Sequence, residues 1–302
     1  MKFFRNAFRF KKVALGFGLI CLLSAPANAQ FRANLERYTG DNAAGYLQPL
    51  TTALGINFNR SWYHTAHVPR HGFYLHLRAN AMMTFIADDD RAYQATTEDS
   101  FSPTQTVAAP TVVGDVKSVR VNGNAGTTYL FPGGFDIQSV LFAAPQLTIG
   151  AIAGTEATFR YLALEIGNAE IGDVNLFGAG LRHSVSQYFD QFPVALAAGV
   201  FYQRFKLGED FIDATAMHYG VQASKSFSVL TLYGGLGYDT ANIKVEYEPS
   251  ATPNERIKLD LDAENGVRAT LGVNLKLAIL HLNADYSIGA QSAFSAGIGL
   301  GF

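Results

Sequence analysis

Long stretches of this chain alternate apolar and polar residues one for one, and that pattern constrains the fold more than any other feature. Phe73, Leu75, Leu77, Ala79, Ala81, Met83 and Phe85 interleave with Tyr74, His76, Arg78, Asn80, Met82 and Thr84. The same holds for Val267 to Leu277 and for Leu280 to Gly289. Alternation sets one apolar and one polar row on opposite faces of a strand. These runs exceed the ~5–6 residues usual in globular sheets and match the ~9–11 residues that cross a bilayer at a tilt. At the C-terminus, Phe294, Ala296, Ile298, Leu300 and Phe302 form one row, and Ser295, Gly297, Gly299 and Gly301 form the other.

Composition removes the competing classes. With 48% hydrophobic and 16% charged residues, the 302-residue chain is too apolar for a disordered one. Its single long apolar run lies at the N-terminus, whereas a polytopic helical protein needs several of ~20 residues. That run reads as an export signal: Lys2, Arg5, Arg9, Lys11 and Lys12 precede an apolar stretch from Val13 to Ser24, followed by Ala27-Asn28-Ala29. Cleavage is expected between Ala29 and Gln30. It removes Cys21, the only cysteine, and five of the 23 Lys and Arg but none of the 25 Asp and Glu. The remaining 18 bases against 25 acids give −7, which disfavours nucleic acid as a partner.

Residues 30–54 carry helical spacing in Leu35, Tyr38, Tyr46, Leu47 and Leu50, with Asp41 as the expected N-cap. They read as a helical arm or a luminal plug. Strands are expected at 55–65, 72–86, 145–153, 156–166, 173–185, 193–206, 214–225, 229–247, 257–277, 278–289 and 292–302. Their connections alternate short and long, with 87–144 the longest. The fold class is therefore all-β, an antiparallel transmembrane β-barrel over 55–302. Eleven strands conflict with the even number of bacterial single-chain barrels. Either a strand hides in 87–144, at Ala109–Val121 or Phe135–Phe142, or the N-terminal arm threads the lumen. The expected count is about twelve, within ten to fourteen.

Particular segments also resemble known proteins. GDVNLFGAGLRHSVSQYF (172–189), GVQASKSF (220–227), LYGGLGYDTANIKVEYE (232–248) and LAILHLNADYSIGAQSAFSAGIGLGF (277–302) resemble an uncharacterised family of outer-membrane barrels from Bacteroidota-type bacteria. PQLTIGAIAGTEATFRYL (145–162) and SWYHTAHV (61–68) are similar too. A looser similarity is to the long-chain fatty acid and aromatic hydrocarbon channels, which have an N-terminal plug, although a clear copy of their N-terminal motif is missing. The first resemblance implies an outer-membrane barrel; the second implies passage of a hydrophobic solute. The last strand resembles the terminal signature read by the barrel assembly machinery, carried here by Phe294, Ile298, Leu300 and Phe302.

Charges on lipid-facing positions would cost ~2–4 kcal/mol each near the midplane. His76, Arg78, Arg160, Arg182, His218, Asp239, Arg268, Lys276, His281 and Asp285 are therefore expected in the lumen, either lining a polar path or bracing a closed interior. Phe131-Pro132-Gly133-Gly134-Phe135 fits an inward constriction or surface display. Asp88-Asp89-Asp90 fits a divalent cation or a solvated tip. His64, His67 and His71 match no zinc spacing. No G-x-S-x-G or H-E-x-x-H occurs, so neither enzyme activity, cofactor nor metal is expected. Aromatic residues near strand ends, Trp62 and Tyr63 among them, read as interfacial girdles. The expected partners are outer-membrane lipid, the assembly machinery and a small solute. The expected function is passive passage of that solute, with a closed structural or partner-binding barrel as the rival.

Overall fold

A computed structural model describes residues 25–98, 100–165, 172–189, 192–208, 211–248 and 256–301, and backbone only at 25–29. Residues 1–24, which carry most of the expected export signal, and Phe302 lie outside these. Among the described residues, two helices, α1 (Ala25–Leu35) and α2 (Gly40–Phe58), precede the sheet. The strands are β1 (Tyr74–Phe85), β2 (Ala92–Thr96), β3 (Thr106–Pro110), β4 (Val119–Asn122), β5 (Thr128–Phe131), β6 (Ser139–Ile152), β7 (Thr155–Leu164) and β8 (Val174–Ser184). They continue as β9 (Ala195–Leu207), β10 (Ile212–Phe227), β11 (Leu230–Tyr247), β12 (Ile257–Asp262), β13 (Gly266–Leu277), β14 (Leu280–Ile288) and β15 (Ala293–Gly301).

Ten strands close on themselves. The hydrogen-bonded order runs β10-β9-β8-β7-β6-β1-β15-β14-β13-β11, and β10 pairs with β11 to complete the ring. All pairings around the ring are antiparallel; β1 meets β15 with His76 opposite Gly301 and Thr84 opposite Ala293. Closure removes the sheet edges. The count is ten rather than about twelve because residues 87–138 form two small hairpins, β2–β3 and β4–β5, outside the ring. Of the two hidden-strand candidates, Ala109–Val121 stays out of the barrel and 139–142 belong to β6.

The alternation became an inside-out burial pattern. In β1, His76, Arg78, Asn80, Met82 and Thr84 are buried while Leu77, Ala79, Ala81 and Phe85 are exposed. Leu271 is 77% and Ile298 53% exposed, but Arg160 is fully buried. A soluble protein rarely leaves so broad an apolar surface uncovered; a membrane barrel faces lipid with it. No helix among the described residues is long and apolar enough to cross a membrane.

The expected strand at 55–65 is absent. Ile56 and Phe58 belong to the last turn of α2, and the chain after Phe58 runs through the lumen to β1. Apolar residues two apart did not distinguish a strand from a segment enclosed on all sides. The expected strand at 257–277 is interrupted at 263–265, where the wall meets α2. A Cβ on Gly55 would sit 2.8 Å from the Cβ atoms of both Ala241 and Ala263, so only glycine lets the helix approach this closely. α2 starts one residue before Asp41; Thr39 is the N-cap and makes no side-chain cap bond, while Asp41 lies in the first turn, where its charge favours the helix dipole.

The inner rows change character along the barrel. Near the rim where β1 ends they are apolar: Phe142, Leu176, Phe205, Ile243 and Val245 are buried there and pack with Leu50, Leu54 and Phe58 of α2. Phe58 meets Phe142 at 5.1 Å and Phe205 at 5.3 Å between ring centroids. Phe58→Ala is expected to cost ~3–5 kcal/mol through lost transfer energy and a cavity. The temperature at which the compact electrophoretic form disappears measures this; a shift near zero would remove α2 from the stabilising core.

Candidate functional site: the filled lumen

Below Phe58 the lumen is polar, and it is occupied by the irregular segment 59–66. Non-helical backbone at membrane depth must have its polar groups satisfied by protein. Wall arginines supply the donors. Arg268 Nη2 donates to the carbonyl of Asn59 at 3.0 Å, and Arg160 Nη2 to that of Arg60 at 2.5 Å. Arg78 Nη2 reaches the carbonyls of Ser61 and Trp62 at 3.2 and 3.1 Å. Gln146 adds a 3.0 Å bond to Trp62, and Arg182 donates to the carbonyl of Thr65. Guanidinium groups suit this task because each presents several fixed donors.

Carboxylates neutralise part of that charge. Arg60, on the threaded segment, pairs with Asp285 at 3.4 Å and donates to Ser295 Oγ and the Ala293 carbonyl. Tyr233 donates to the other Asp285 oxygen at 2.9 Å. Arg268 pairs with Asp239 at 2.8 Å, and Asp239 also bonds His218 Nδ1 at 2.6 Å. Arg182 pairs with Glu156 at 2.6 Å. The His218–Asp239 pair has the form of a catalytic dyad, but Nε2 of His218 has no hydrogen-bond partner among the described residues.

Eight of the ten luminal candidates are buried inward: His76, Arg78, Arg160, Arg182, His218, Asp239, Arg268 and Asp285. His281 is half-buried and Lys276 exposed, both at the rim of short turns. The threaded residues Arg60, Trp62 and Tyr63 were missed as lumen residues. Trp62 and Tyr63 are buried there rather than in a girdle, since the segment carrying them is no wall strand. Trp62 stacks on Phe201 at 5.0 Å and lies under the Arg160 guanidinium at 3.7 Å. The signal that pointed to an occupant was in the sequence: inner rows such as Ile243, Val245 and Tyr247 turn apolar at one end, and such a row needs an apolar partner inside.

Residues 131–137 fold over α2 at the other rim. Phe131 is fully buried, and the Gly133 carbonyl accepts from Asn34 Nδ2 and the Tyr46 hydroxyl at 3.1 and 3.2 Å. Asp88 and Asp89 are exposed in a short turn, and Asp90 accepts from Gln291 at 2.5 Å. His67 is exposed at the short-turn rim, as is His71, and His64 instead points inward. His64, His76 and His281 bring one ring nitrogen each within 4.8 Å of the others.

An even, closed, antiparallel barrel with a lipid-facing apolar surface and polar lumen is an outer-membrane β-barrel. By the rule that such barrels keep short turns in the periplasm, the turns at 153–154, 228–229 and 278–279 are periplasmic. By the same rule the hairpins and α1 are expected outside. The chain belongs to a family of unknown function, DUF6588, whose model matches residues 10–302. No curated protein matches it. Among solved structures it is similar to Ail, the attachment invasion locus protein of Yersinia pestis, solved with the heparin analogue sucrose octasulfate. That match has 10% identity, covers 76% of this chain and 99% of that one, and has a TM-score of 0.24. It is also similar to the translocator domain of the autotransporter NalP from Neisseria meningitidis (13%, 76% and 88%, TM-score 0.29). A third match is a Pseudomonas aeruginosa FadL homologue (10%, 89% and 94%, TM-score 0.23).

Proposed function

We propose that this protein is a structural or partner-binding outer-membrane barrel that does not conduct at rest, its lumen closed by its own N-terminal segment. One observation carries the reading: residues 57–66 are held from every side. The cavity between Arg60, Ser61, Tyr63, Arg268, Thr270 and Asp285 measures ≈10 Å³, room for about one water. The outward cap of α1 and the two hairpins is then the surface offered to a partner, and no catalytic role enters.

Planar-bilayer recordings test this. The full-length protein is expected to give no stable conductance steps, and a variant lacking residues 30–66 is expected to give them. Steady conductance from the full-length protein would overturn the closed reading. Crosslinking in outer membranes that captured no partner would leave the structural role alone.

Passage of a solute remains a second reading, as a gated one. Arg60, Arg78, Arg160, Arg182 and Arg268 exceed Asp239, Asp285 and Glu156 by two charges among the buried luminal residues. With the plug withdrawn, Arg60 leaves with it, and the wall retains an excess of one cation, which favours anions.

A further inference from the structure

Three histidines far apart in the chain meet at the periplasmic end of the lumen. His64 belongs to the threaded segment, His76 to β1 and His281 to β14. Their ring centroids are 4.5 Å (His64–His76), 5.4 Å (His64–His281) and 4.4 Å (His76–His281) apart. His64 is 9% and His76 4% exposed. Nδ1 of His64 and Nε2 of His76 have no hydrogen-bond partner among the described residues. Buried polar atoms normally have one, and such an orphan calls for a ligand or another physical explanation.

The strand register builds the cluster. His76 lies opposite Gly301 and His281 opposite Gly299, so β15 runs between the two imidazoles with no side chain at either position. A Cβ on Gly301 would stand 3.1 Å from both His281 Nε2 and His76 Cδ2. Glycine there lets the two rings converge over the strand.

We propose that His64, His76 and His281 form a site for a zinc-class transition metal that clasps the threaded segment to the barrel wall. Three imidazoles suit zinc, copper or nickel and not magnesium or calcium, which take oxygen ligands. Ligand nitrogens ~2.0–2.1 Å from a tetrahedral zinc lie about 3.4 Å from one another, so rings with nitrogens within 4.8 Å close on the ion by about 1 Å of side-chain rotation. The fourth position opens toward the periplasmic mouth, where His281 is half-buried. Lys276 lies directly opposite His281 on β13, and Arg78 follows His76 on the same face of β1. Those cations favour an anion, hydroxide or a carboxylate, as the fourth ligand.

The test uses the full-length, untagged protein in detergent micelles, stripped with a chelator and titrated with Zn²⁺, then Co²⁺, with Mg²⁺ as control. One equivalent of Zn²⁺ is expected to bind and to raise the temperature at which the compact form is lost, because a ligand of the folded state stabilises it. Co²⁺ is expected to give the absorption bands of a four-coordinate site. His281→Ala, at a half-buried position, is expected to weaken Zn²⁺ binding at least tenfold and abolish the thermal shift, with His76→Ala doing the same. His67→Ala and His71→Ala leave both unchanged. Absence of a bound equivalent in the parent protein would overturn the site. So would binding that survives His281→Ala, or that is lost in His67→Ala or His71→Ala.

Discussion

Arg60→Ala is expected to destabilise the folded barrel by about 3–5 kcal/mol, the usual result of removing one partner of a buried ion pair. Arg60 is 1% exposed and Asp285 5%, so the substitution leaves a buried carboxylate that keeps the hydroxyls of Tyr233 and Ser295 as donors but loses its paired cation. It also frees Ser295 and the Ala293 carbonyl from their shared donor. The double variant Arg60→Met, Asp285→Leu is expected to recover most of the loss, since apolar replacement of a buried pair is often neutral or stabilising. Denaturant midpoints in lipid measure both. If Arg60→Ala lies within about 0.5 kcal/mol of the parent, the range of an ordinary surface change, the segment is not locked by this pair.

The second large effect concerns sidedness. The chain enters the barrel wall at the periplasmic end of β1, having descended through the lumen from α2. α1 and the start of α2 are therefore expected at the cell surface. A cysteine at Arg37, exposed between the helices, is expected to react with a membrane-impermeant maleimide on intact cells. A cysteine at Ile279, 50% exposed in a periplasmic turn, reacts only after the outer membrane is opened. The sole native cysteine, Cys21, lies in the expected export signal and leaves the background low. Labelling of Ile279→Cys but not Arg37→Cys on intact cells would reverse the assigned orientation.

Much of the wall was legible because alternation is written residue by residue. β1, β7, β8, β9, β10, β11, β14 and β15 stand within a few residues of where the pattern set them. The misreadings share one cause. Residues 55–65 look like a strand because Ile56, Phe58 and Trp62 are two and four apart, yet their surroundings come from α2 packing and from wall residues up to 235 positions away, as in the Arg60–Ser295 bond. The trio His64, His67 and His71 followed sequence proximity; the barrel instead joined His64 to His76 and His281.

By itself the sequence determined that this chain forms a membrane barrel. An apolar row and a polar row on every strand are local properties, and with lipid on one side only a closed sheet satisfies the backbone. The polar character of the lumen followed from the same rule. Tertiary structure alone decided that ten strands close the ring, that residues 59–66 fill it, and that arginines from four strands hold their carbonyls. Closure and threading are set by contacts between distant residues, and no periodicity along the chain records them.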